Sequence, residues 1–189
     1  MNQIKKTIFL TPDVSFKNEI EKAISNSKIK LLENYIYNTD PTELTKQIEK
    51  ITRYGVRKQN LEDEINRLEK SEQNNKERLI ERLKKRDTLG SLKFDSIVIS
   101  DFDESLKSVT TSLLYTDISP KEKYFITLNQ WFDESLLKET SSQPLYFPSV
   151  NKDNYNKFSN EYFEKYNQYP NQLSFLSYDL VGLVYYLIL

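Results

Sequence analysis

Short apolar runs of strand length alternate along this chain with segments of helical periodicity. The runs are Thr7 to Leu10, Lys30 to Tyr37, Phe94 to Ser100, Tyr124 to Leu128 and, more faintly, Leu145 to Phe147, all rich in Ile, Leu, Phe or Tyr. Helical periodicity falls between them, over Ser15 to Ser25, Pro41 to Arg86, Asp103 to Tyr115 and Phe132 to Lys138, and several of these segments open on Ser, Asp or Thr in N-cap position. Asp40-Pro41-Thr42-Glu43 is the plainest helix start, with Asp as cap, Pro as first helical residue and an acid in the first turn. Strand, helix, strand is the order of parallel crossover units. The pattern predicts an α/β fold, a three-layer open and mainly parallel sheet with helices on both faces.

One segment breaks the alternation. Pro41 to Arg86 is far longer than a crossover needs, and more than half of Arg57 to Asp87 is charged. Leu61, Ile65 and Leu68 follow a 4,3 spacing, Ser71 to Asn75 reads as a turn, and Leu79, Ile80 and Leu83 resume an apolar stripe. This predicts a charged helical hairpin inserted at about residues 43–87, either an arm that docks a partner or a solvated insertion held by its own seam. Lys84-Lys85-Arg86 does not make it a nucleic-acid surface, because Glu77, Glu81 and Asp87 interleave and no aromatic platform accompanies the bases.

Composition then removes whole classes of chemistry. The 27 basic and 28 acidic residues nearly cancel, so no global field draws the chain to nucleic acid or an anionic membrane. With no Cys there is no disulfide or thiolate metal site; with no His, the usual general base and the commonest zinc ligand are gone. Glycine occurs only at 55, 90 and 182, which excludes Rossmann and P-loop phosphate cradles. No cofactor and no metal are expected. Met1 to Lys6 runs straight into Thr7-Ile8-Phe9-Leu10 without a signal-peptide pattern, and the apolar stretch Leu173 to Leu189 is a little short of the roughly 20 residues that span a bilayer. A buried helix fits that stretch better. An apolar end of this kind implies a piece of a longer protein, and its uncovered surface predicts self-association.

Ligands of open α/β sheets sit outside the carboxyl ends of the strands. The residues there are Thr11, Asp13 and Phe16 after the first strand, Asn38 and Asp40 after the second, Ser100, Asp101 and Asp103 after the third, and Asn129 and Trp131 after the fourth. The candidate cleft is Thr11, Asp13, Phe16, Ser100, Asp101, Asn129 and Trp131. Its acids can cap helices, bind a cation or accept from a ligand amine; Trp131 can stack on a ligand or fill the core. Ile97 to Ser105 holds Asp101-x-Asp103 after a strand, which resembles the nucleophile motif of haloacid-dehalogenase-type phosphatases. Glu104 stands where that motif has Gly or Thr, and no later strand ends in paired acids, so no catalytic residue is assigned.

A family resemblance covers almost the whole chain. Arg86-Asp87-Thr88-Leu89-Gly90, then Phe94-Asp95-Ser96-Ile97-Val98-Ile99, then Tyr115-Thr116-Asp117-Ile118-Ser119-Pro120, is similar in order and spacing to penicillin-binding-protein activators of the LppC type. Trp131-Phe132-Asp133 resembles their Trp-Asp-Asp. Phe158, Tyr162, Tyr166, Tyr169-Pro170 and Leu176-Ser177-Tyr178-Asp179 resemble the tail signature of type 1 periplasmic amino-acid-binding proteins. The resemblance implies two α/β lobes that close like a clamshell. Residues 1–147 would be the C-terminal lobe, and 148–189 a hinge and two helices belonging to the other lobe. It also implies a non-catalytic regulator contacting a peptidoglycan synthase in the periplasm, with a lipoprotein parent tethered to a membrane. The alternative is a solute-binding receptor for an amino acid or similar small molecule that feeds a transporter. Phe16-Lys17 stands where many relatives carry Tyr-Gly, and Asn129-Gln130 replace small residues, which weakens the amino-acid pocket.

Overall fold

The computed structural model describes residues 4, 6–15, 17–128, 138–148 and 151–188. They include five strands, β1 (Lys6–Thr11), β2 (Lys30–Ile36), β3 (Ser96–Ile99), β4 (Tyr124–Thr127) and β5 (Leu145–Tyr146), in one sheet of order β2-β1-β3-β4-β5. Every neighbouring pair is parallel. The protein is thus a three-layer α/β fold on an open parallel sheet.

Alternation along the strands decides which residues meet which layer. Ile8 and Leu10 of β1, Ile97 and Ile99 of β3 and Phe125 of β4 face a core shared with α2 (Pro41–Ile51) and α5 (Asp103–Tyr115), through Leu44, Ile48, Leu106, Val109 and Leu113. The intervening positions carry Thr7 and Ser96, paired in register, whose buried hydroxyls bond each other at 2.7 Å. The pairing satisfies two buried polar groups inside the sheet. Helix α1 (Lys17–Ser25) packs against β2 and contributes nothing to the main core cluster.

The long helical segment differs from expectation at one point. It is broken into α2, α3 (Tyr54–Glu69) and α4 (Lys76–Leu83), with an unforeseen break at Thr52 and Arg53. Thr52 is fully buried and its hydroxyl bonds back to the Ile48 carbonyl at 2.8 Å, while Arg53 takes a left-handed φ of 53°. That turn frees α3 from the sheet-facing phase of α2. Leu61 and Leu68 of α3 are buried, and α4 returns along α3 after the turn that the sequence places at 71–75. The helix expected over Phe132 to Lys138 lies, apart from Lys138, outside the described residues.

The described residues divide into two compact units, one before residue 148 that holds the whole sheet, the other from residue 148 onward. The second holds α6 (Lys152–Tyr166) and α7 (Gln172–Ile188). Asn151 caps α6 by accepting from the Asp153 and Asn154 amides. The two helices join through rings, Phe175 lying 5.3 Å from Tyr155 and 5.4 Å from Phe158.

Candidate functional site

Parallel pairing carries on one residue past the strands. The Ser100 amide donates to the Leu10 carbonyl at 2.9 Å, and the Tyr37 amide to the Thr11 carbonyl at 3.0 Å. These bonds bring Thr11, Tyr37, Ser100 and Asp101 to one carboxyl edge, and Thr127 joins them by donating to the Ile99 carbonyl at 2.9 Å. All five are buried.

Asp101 is the hub. Its carboxylate accepts from the Tyr37 hydroxyl, from the Ser105 hydroxyl at 2.5 Å and from the Phe102 amide at 2.8 Å. The last two tie it to the start of α5, so Asp101 works as a cap placed one residue ahead of the usual position. Burial, and then the bond to Asp101 with its negative charge, push the Tyr37 hydroxyl far above the ordinary tyrosine range. Tyr37 therefore stays a neutral donor. The apolar run places Tyr37 inside its strand; the signal for its role is a hydroxyl at a strand tip facing an acid at the next but one.

The remaining predicted residues separate. Thr11 is fully buried and donates to the Pro12 carbonyl at 2.8 Å. Ser100 is 1% exposed, and its hydroxyl has no hydrogen-bond partner among the described residues. Asp13 is turned to solvent, its side chain 78% exposed and paired with Lys17. Asn38 and Asp40 serve the start of α2, where Asp40 accepts from the Thr42 and Glu43 amides. Asp103 begins α5 with a left-handed φ of 48°. Phe16, Asn129 and Trp131 lie outside the described residues. Among the described residues no group of three or more acids is placed to hold a metal ion.

A second polar constellation went unread in the sequence. Arg57, in the first turn of α3, is 7% exposed. Its guanidinium donates to the Thr116 carbonyl at 3.0 Å, the Thr88 hydroxyl at 2.6 Å and the Asp117 carbonyl at 3.2 Å, and lies 3.6 Å from the Asp117 carboxylate. The Thr88 hydroxyl in turn donates to the Asp117 carboxylate. Burial pulls the Arg57 pKa down and Asp117 pushes it back up, and so intrinsically basic a group stays charged. Gly90 sits at φ 138° beside it, where a Cβ would lie 3.5 Å from the Arg57 Cγ. The Asp87 to Gly90 and Tyr115 to Pro120 motifs, distant in sequence, thus meet on one buried guanidinium. Both lead into amino ends of strands, β3 and β4, so this clamp belongs to the edge away from Asp101.

On the hairpin itself, a groove of about 260 Å³ runs between α3 and α4 over Leu68, Leu79 and Leu83, with Arg67, Arg82 and Arg86 on its rim. Arg67 is bridged to Glu64 by two bonds of 2.7 Å. Compared with protein families, with curated proteins and with solved structures, the chain matches none.

Proposed function

We propose that this chain is a non-catalytic binding and regulatory module, similar in role to the penicillin-binding-protein activators it resembles, and that it acts by surface contact with a peptidoglycan synthase. The supporting observation is the Asp101 carboxylate. A ligand amine needs a carboxylate with free lone pairs, and a phosphatase nucleophile needs an unencumbered one. Here Tyr37, Ser105 and the Phe102 amide already donate to it. The α3–α4 hairpin, with its groove lined by leucines, arginines and Glu64, offers the contact surface instead.

The test mixes the purified chain with a purified bifunctional peptidoglycan synthase and reads binding by interferometry and glycan polymerisation by rate. Saturable binding with a changed rate is the expected outcome; no binding at micromolar concentrations sinks the proposal. One observation favours the solute-receptor alternative, the buried Ser100 hydroxyl beside Thr11, a donor left without a partner among the described residues at the carboxyl edge of the sheet. Isothermal titration with the standard amino acids distinguishes the two. Uptake of one of them, lost in Ser100→Ala, would transfer the assignment to a receptor.

A further inference from the structure

Helix α7 buries one side and leaves the rest uncovered. Phe175 is 2% exposed against Tyr155 and Phe158, and the Tyr178 ring lies 4.8 Å from Phe158. At roughly 100° of turn per residue, the far side carries Leu176, Leu180, Leu183 and Leu187. Their spacing of 4, 3 and 4 is the a/d repeat of a helix seam. The four leucines are 47%, 60%, 54% and 72% exposed.

Such a face needs an occupant. Together with Val184, the stripe presents roughly 500 Å² of mainly apolar surface, at the upper end of what a monomer ordinarily leaves in one patch and the larger part of the ~800 Å² each partner buries in an ordinary dimer. Asp179 is the single charge in α7, so nothing on the face selects an oppositely charged partner. A leucine seam is complementary to itself under a two-fold axis. Among the described residues no helix is long and apolar enough to cross a membrane. We propose that α7 is a self-association surface on which two copies of this chain pair stripe to stripe. The proposal does not depend on the reading of the strand-tip cluster.

The chain has no cysteine, so introduced thiols report geometry without background. Under mild oxidation Leu183→Cys is expected to give a disulfide-linked pair. Val181→Cys, 69% exposed but well round the helix, is expected to give little. Sedimentation equilibrium should return the mass of two chains, and the Leu180→Lys, Leu187→Lys double variant the mass of one, with pairing weakened roughly a hundredfold. Both leucines are exposed in the single chain, so unchanged circular dichroism is expected of the variant. A one-chain mass for the unmodified protein overturns the proposal, and so does cross-linking at Val181 as efficient as at Leu183. A single chain that floats with phosphatidylcholine vesicles also overturns it and gives the face to a lipid surface.

Discussion

The Tyr37 hydroxyl loses its proton near pH 10 in the unfolded chain but keeps it in the folded one, because burial and the Asp101 carboxylate both oppose a phenolate. Above that pH the unfolded state binds fewer protons than the folded state, so this share of stability is complete below about pH 10 and is lost as pH rises. Tyr35, raised to about 12 by burial and then by its bond to Glu33, acts in the same direction. Melting temperature is therefore expected to fall above about pH 10, and Tyr37→Phe to make the fall shallower while costing about 1–2 kcal/mol near neutrality. Parallel alkaline profiles for the two proteins would refute this. Arg57→Met should cost about 2–4 kcal/mol in urea titrations, with Arg57→Lys restoring little because an ammonium lacks the fork that reaches Thr88 and Thr116 together. Neither residue was legible beforehand for what it does. Arg57 is one charge in a stretch where most residues are charged, and sequence does not separate a buried guanidinium from a solvated one. Thr88 and Asp117 were visible as motif members, but their meeting is a tertiary fact.

At the scale of elements the sequence spoke more clearly. The five strands fall where apolar runs of strand length occur, and α5 keeps the bounds read from its pattern. Asp40 caps α2 as its neighbours Pro41 and Glu43 imply, and Asp40→Ala should lower stability by about 1 kcal/mol, measured by thermal or urea unfolding. An unchanged midpoint would mean that water replaces the cap without loss. The break at Thr52 and Arg53 escaped notice because no proline or turn cluster marks it. The phase of the apolar stripe shifts there, from Leu44 and Ile48 to Leu61 and Leu68, and Gly55 nearby was the weak signal of a break. Thr11, Ser100 and Asp101 stand at the carboxyl ends of β1 and β3, where the strand-tip rule looks for ligand contacts. That rule could not show that Asp101 would be taken up by Tyr37 and Ser105.

At the scale of the whole molecule, every paired strand among the described residues lies before residue 148. A chain shortened to residues 1–147 is expected to keep an α/β circular dichroism spectrum and one cooperative melt, and loss of the transition would show that the sheet needs more than its own unit. The apolar character of α7 was plain from sequence, whereas its covering depends on a surface that no single-chain pattern encodes. The buried guanidinium of Arg57 has a mechanical consequence. Helix α3 is about 24 Å long and is pinned in its first turn to the loops entering β3 and β4. The hairpin is accordingly a lever with a fixed fulcrum. A protein that grips its tip loads the amino edge of the sheet through Thr88 and Thr116, and leaves the capped start of α5, at the opposite edge, at rest.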